Sequence, residues 1–237
     1  MRGIKLAGVA ASGVLGAMSA TAAYGTLSRT SQIFGPSVYR GPGRRRTVAL
    51  TFDDGPSEGT MEILEYLDRE GIWATFFQCG LNVRRHAQIA GQVAAAGHQL
   101  GNHSYSHPTL PFKSAQFIER EFTDAQHVIT EETGIAPMIM RPPYGFRWVG
   151  LREVQQKLAL LGVMWTVMGN DNRWPSERIA NHVLRRVTPG GIICLHDAWG
   201  VEPKPDVSNT LRALRTIVPV LKDHGFRFEV ISDLMQV

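Results

Sequence analysis

The sequence predicts an α/β protein whose parallel strands close, or nearly close, into a barrel. Three observations predict it. From Thr47 onward, apolar strand-like runs alternate with amphipathic helical stretches. Most of those runs are apolar throughout rather than at every second residue, the mark of parallel strands covered on both faces. About seven such strand–helix units fit within roughly 190 residues, which suits a compact barrel. A doubly wound open sheet is the alternative, and in both architectures ligand groups gather at the carboxyl ends of the strands.

The elements follow in order. Thr47 to Leu50 reads as a buried strand, running into Thr51-Phe52-Asp53-Asp54-Gly55-Pro56, where Gly55-Pro56 turns the chain away. Ser57 to Glu70 fits a helix with Met61, Leu64 and Leu67 on its apolar stripe and Gly71 as its stop. Ile72 to Gln78 is the second strand. A helix capped by Asn82 runs to about Ala96, and His98 to Asn102 is a short strand. Lys113 to Thr133 is helical, Pro137 to Met140 a strand, and Val149 to Leu161 a helix. Val163 to Met168 reads as one strand, followed by a helix from Ser176 to Val187. Ile192 to Leu195 is a strand, Asn209 to His224 a helix containing Pro219, and Phe226 to Val230 the last strand, with a turn at Ser232 to Met235.

The 237-residue chain has 43% hydrophobic and 19% charged residues, an ordinary globular composition. A net charge of +4, without a basic stripe interleaved with aromatics, argues against a nucleic-acid partner. Residues 1–26 differ. Arg2 and Lys5 precede an uncharged run ending near Ala20-Thr21-Ala22, which reads as a signal peptide or membrane anchor and places the protein outside the cytoplasm, secreted, periplasmic or membrane-anchored. Residues 27–46, rich in Ser, Gly and Pro, read as a linker, and 47–237 as the functional domain. Cys79 and Cys194 lie in apolar runs and are expected as buried free thiols. A monomer is expected.

The polar residues of chemical interest fall just after strands. Asp53 and Asp54 end the first and His103 to Pro108 follows the third. Arg141 ends the fourth, Asp171 lies past the fifth, and His196-Asp197 ends the sixth. Two carboxylates held close raise one pKa unless a cation sits between them, so the Asp pair points to a metal, a base or both; a solvated turn is the plain alternative. His103 and His107 are four apart, and on a local helical turn that spacing stacks two imidazoles for a metal. With a strand-end carboxylate as third ligand, positions stay open for water and substrate, as in a catalytic zinc site. Cobalt or another divalent ion is also compatible.

Four motifs, in order, carry a family resemblance: Thr51-Phe52-Asp53-Asp54-Gly55-Pro56, His103-Ser104-x-x-His107-Pro108, Arg141-Pro142-Pro143-Tyr144-Gly145 and Leu195-His196-Asp197. They are similar to those of the polysaccharide deacetylase family, the NodB-homology group or carbohydrate esterase family four. The resemblance implies a distorted (β/α) barrel and metal-dependent removal of acetyl groups from a sugar polymer. It implies Asp53 as general base, Asp54 with His103 and His107 as metal ligands, Arg141 orienting the base, and the Tyr144 backbone N–H on the oxyanion. His196 becomes the general acid, with Asp171 as its partner. Pro142, Trp174, Cys194 and Leu195 are expected at the substrate surface.

The chain departs from the family pattern at Met168, Asn172 and Cys194. Trp174 is a candidate replacement for the tryptophan missing at 172, and Cys194, on the side of His196, for a leucine in the acetyl pocket. Trp148, Trp174 and Trp199 lie where aromatic faces meet sugars, while Trp73 and Trp165 read as core. His86, His98, His127, His182 and His224 read as surface or capping residues. The expected substrate is N-acetylglucosamine in chitooligosaccharide or peptidoglycan. The alternatives are acetylxylan, a small cyclic amide, or sugar binding without catalysis.

Overall fold

The structure, a computed structural model, describes residues 19–236. Most of the expected export segment, residues 1–18, lies outside the described residues; residues 19–27 form helix α1. No helix among the described residues is long and apolar enough to cross a membrane.

The stretch 27–46 is packed on the domain, contrary to its linker-like composition. β1 (Ser37–Val38) ladders in parallel with β6 (Leu161–Val163). Arg29 donates to the carbonyls of Trp165 and Thr166 at 3.1 and 2.8 Å, and the buried Arg147 donates to the Ser31 carbonyl and the Ser37 hydroxyl. Gly and Pro forecast irregular backbone here. They do not forecast that two arginines bind it.

β2 (Thr47–Asp53) lies inside the sheet and every residue in it is buried. The other strands are β3 (Thr75–Gln78), β4 (Gln99–Asn102), β5 (Ile139–Met140), β7 (Val167–Met168), β8 (Gly191–His196) and β9 (Arg227–Phe228). Together they make one curled, all-parallel sheet in the order β1-β6-β5-β4-β3-β2-β8-β7, with β9 beside the start of β2. Side-chain alternation sorts its two faces. Val48, Leu50 and Phe52 of β2 join Ile193 and Leu195 of β8 in the core under the helices. Ala49, Ile192 and Cys194 face the inside of the curl, where Ile231 and Leu234 of α9 (Ile231–Met235) plug it. The same alternation turns Thr51, Asp53 and His196 inward.

Helices α2 (Glu58–Glu70), α3 (Gly80–Arg85), α4 (Ala87–Ala95), α5 (Ala115–Thr133), α6 (Leu151–Leu158), α7 (Ser176–Leu184) and α8 (Ser208–Asp223) cover the outside. Gly71 ends α2 at φ 61, a left-handed cap that glycine adopts without strain. Pro219 is carried inside α8.

Three readings change. The expected single helix from Asn82 is two, α3 and α4, separated at His86 (φ −127, ψ 46), and Asn82 lies within α3 rather than capping it. The run 163–168 is two strands because β7 ends one side of the sheet order while β6 lies one strand in from the other end, beside β1; residues 164–166 cross the seam between them. Trp73, expected in the core, is 55% exposed.

Candidate active site

The strand ends converge as expected. Asp54 has φ 77, so the backbone bends immediately after β2 and both neighbouring carboxylates reach one cleft. Asp53 and Asp54 are each only 4% exposed. They line a cleft of about 470 Å³ with His103, His107, Tyr144 and His196, a size usual for ligand sites.

Asp54 Oδ1 lies 3.2 Å from His103 Nε2 and 3.0 Å from His107 Nε2. It is buried without a hydrogen-bond partner among the described residues, while Oδ2 accepts the Gly200 N–H at 2.7 Å. A buried orphan carboxylate oxygen between two imidazole nitrogens fits a divalent ion, and the three ligand atoms lie within 4.8 Å of one another. Burial opposes the charge on Asp54, yet the two imidazoles hold its carboxyl well below the ordinary range. His103 Nδ1 sits 2.7 Å from the Arg141 carbonyl, which fixes the tautomer and leaves Nε2 for the ion.

The histidines are not on the helical turn that their spacing suggests. They stand on a loop with Ser104 at φ 66 and His107 at φ 56. Residues beyond the recognised motifs hold it. Glu121 of α5 accepts the N–H groups of Tyr105 and Ser106 and the Ser106 hydroxyl, at 3.1, 2.8 and 2.9 Å. Asn102 accepts the Ser104 N–H at 3.0 Å and donates to the Phe122 carbonyl. Asn82 donates to the carbonyls of Asp54 and Gly200, both at 2.8 Å. Glu121 had a sequence signal: it is a carboxylate on the buried stripe of α5, between Ile118 and Phe122.

Arg141 is fully buried. Its Nη1 donates to Asp53 Oδ1 at 2.6 Å and to Thr51 Oγ1 at 2.8 Å, and its Nε and Nη2 donate to the seam carbonyls of Val163 and Met164. Its guanidinium lies 4.1 Å from the Phe77 ring centroid. The second oxygen of Asp53 accepts the Cys194 S–H at 3.3 Å. Burial, reinforced by Asp53, pushes the Cys194 thiol well above its ordinary value, so it remains a donor. Both cysteines are free and buried, as expected.

His196 Nδ1 bonds Asp171 Oδ1 at 2.8 Å, which leaves Nε2 for the cleft. Asp171 Oδ2 accepts the His196 backbone N–H and the Thr210 hydroxyl, at 2.8 and 2.7 Å. Burial disfavours the imidazolium, but Asp171, helped by Asp54 and Asp53, pushes its pKa up to about 10. The folded value is raised, so the stabilisation from this pair is complete below about pH 6.5 and is lost as pH rises through about 10. Asp171→Asn removes the chief support for the charge. The expected result is an alkaline limb of the rate–pH profile displaced to lower pH, read from kcat/KM against pH; an unmoved limb would detach Asp171 from His196 protonation. The acid limb belongs to coupled groups and has no single owner.

Of the remaining expected site residues, Tyr144 lines the cleft from a 3₁₀ turn, Pro143–Gly145, with φ 59 and its ring 4.6 Å from that of His107. Pro142 is buried before that turn. Leu195 faces the helix-side core, away from the cleft, and Cys194 is sealed behind Asp53. Trp174 is not on the cleft wall; it packs on the helix side, with Arg178 4.2 Å from its ring. Trp165 and Trp199 line the cleft instead, with Met168, Asn172 and Arg173. His98, expected as a surface or capping residue, is buried; its Nδ1 accepts the Ala74 N–H and burial lowers its pKa to about 4.

A divalent-ion cradle beside a buried carboxylate and a charged imidazole, on the rim of a curled parallel sheet, defines a hydrolase that uses a metal. The sequence profile of the polysaccharide deacetylase family matches residues 40–163. A Bacillus cereus peptidoglycan-N-acetylglucosamine deacetylase is 34% identical over 204 residues, covering 84% of this chain and 71% of that protein. The chain belongs to the polysaccharide deacetylase family. The crystal structure of the Bc1960 peptidoglycan N-acetylglucosamine deacetylase with 4-naphthalen-1-yl-N-oxidanyl-benzamide superposes with a TM-score of 0.79 at 32% identity, covering 84% of this chain and 92% of that one. A family 4 acetyl xylan esterase from Clostridium thermocellum with a cobalt ion gives a TM-score of 0.72 at 32% identity, covering 80% and 90%.

Proposed function

We propose that this chain removes acetyl groups from N-acetylglucosamine units of a sugar polymer, peptidoglycan or chitooligosaccharide, and that Asp54, His103 and His107 hold its divalent ion. The orphaned Oδ1 of Asp54 between the two histidines is the observation that carries this reading. Two imidazoles and one carboxylate favour Zn²⁺, with Co²⁺ a workable substitute. When bound, the ion supplies Lewis-acid polarisation of the acetyl carbonyl and acidifies the attacking water.

The chain's own groups do the rest. Asp53, paired with Arg141, takes the proton of the water. The Tyr144 backbone N–H, in its positive-φ turn, donates to the developing oxyanion. His196, charged beside Asp171, delivers a proton from Nε2 to the leaving sugar nitrogen. Residues 1–26 serve as leader or anchor, which puts the enzyme on the cell-wall side of the membrane with its polymer.

Acetate release from N-acetylated chitooligosaccharides and peptidoglycan fragments, with and without chelator and added zinc, tests this reading. Chelator-sensitive release is expected; release that ignores chelator would end it. Acetylxylan belongs in the same panel, because the likeness to the acetyl xylan esterase favours an O-deacetylase as the second reading. His103→Ala is expected to lose most bound zinc by elemental analysis, together with the rise in Tm that zinc gives the wild-type chain. Full zinc retention would move the ion elsewhere.

A further inference from the structure

Past the cleft-lining aromatics of the arginine motif, the chain carries a second group of aromatic rings. Tyr144 and Phe146 line the cleft with ring centroids 5.9 Å apart. Two residues on, the half-buried Trp148 meets Phe112 at 4.8 Å and Phe34 at 5.7 Å. Three separate segments deliver these rings. Phe34 comes from the N-terminal stretch, Phe112 from the loop after the histidines, and Trp148 from the chain beyond the arginine motif.

Phe112 is 89% exposed, the most exposed large hydrophobic among the described residues. Its loop is anchored by the fully buried Leu110, whose carbonyl accepts the Lys113 N–H at 3.0 Å, and Phe112 itself is held at φ 66. Core packing does not place a phenylalanine there, and it is not an isolated surface residue, because its ring meets Trp148. The flat C–H face of a pyranose suits an aromatic ring, while its rim of hydroxyls stays in water. A polymer longer than the cleft has to lie on whatever flanks it.

We propose that Phe112 and Trp148, flanked by Phe34, form a stacking subsite for a pyranose unit away from the sugar being deacetylated. The occupant is the substrate polymer itself, so the proposal rests on the deacetylase reading. Its consequence is length selectivity.

The test uses the full, zinc-loaded chain with fully N-acetylated chitobiose and chitohexaose. For Phe112→Ala, kcat/KM on chitohexaose should fall at least about fivefold, chiefly through KM, with chitobiose turnover and Tm unchanged. Trp148→Phe, which keeps a ring, should retain most of the chitohexaose rate. A Phe112→Ala enzyme that matches wild type on chitohexaose, or loses equally on both substrates, would overturn the subsite. If wild type released acetate from neither, the deacetylase reading would fail separately. Quenching of tryptophan fluorescence by chitohexaose would then decide the subsite: Phe112-dependent quenching supports it, and Phe112-independent or absent quenching overturns it.

Discussion

Asp53→Asn should lower kcat by about 10³-fold while leaving the bound metal in place. A positioned general base contributes about 10²- to 10⁴-fold. The amide keeps the shape of the carboxylate and still accepts from Arg141, but it takes no proton from water. Asp53 is buried and makes no contact with the two histidines that would collapse with it; its partners are Arg141 and Cys194. Elemental analysis of the variant beside acetate release separates base from ligand. Turnover near wild type would remove Asp53 from the chemistry, and loss of the ion would reassign it to the metal.

Arg141→Met is expected to cost about 3–5 kcal/mol of stability, because it leaves a buried carboxylate without its cation. The guanidinium also satisfies the carbonyls of Val163 and Met164 where the chain crosses the seam, so the change strips two jobs at once. For a chain of this size Tm should fall by about 10 °C. Lysine is not a substitute, since one ammonium cannot reproduce a planar fork of donors. The double variant Asp53→Asn/Arg141→Met removes the stranded charge and should recover part of the loss. An Arg141→Met protein with unchanged Tm, measured without metal, would refute the buried ion pair as a structural element.

The parts legible in the sequence share a cause. Parallel strands buried on both faces leave continuous apolar runs, so their ends are visible, and Asp53, His103, Arg141 and His196 stand at those ends. The Gly55-Pro56 turn foretold the bend that lets Asp53 and Asp54 share a cleft. What stayed hidden depends on contacts between distant segments. The spacing of His103 and His107 imitates a helix, but their loop is shaped by Glu121 and Asn102, through bonds that periodicity does not encode. The division between β6 and β7 follows from where the sheet ends, which local composition does not record. Trp174 takes a helix-side packing place instead of its expected one at the sugar surface, since a tryptophan looks equally apolar in a core or on a cleft wall; Trp165 is buried in the core, as expected, and also borders the cleft.

The short strand β1 also bears on solubility. An outermost strand with bare N–H and C=O groups invites another molecule to add itself and extend the ribbon into an aggregate. Here the protein's own leading segment occupies that position beside β6, and Arg29 and Arg147 keep it there. The residues that look like a mere tether thus act as a guard, sparing the folded domain from joining its neighbours edge to edge.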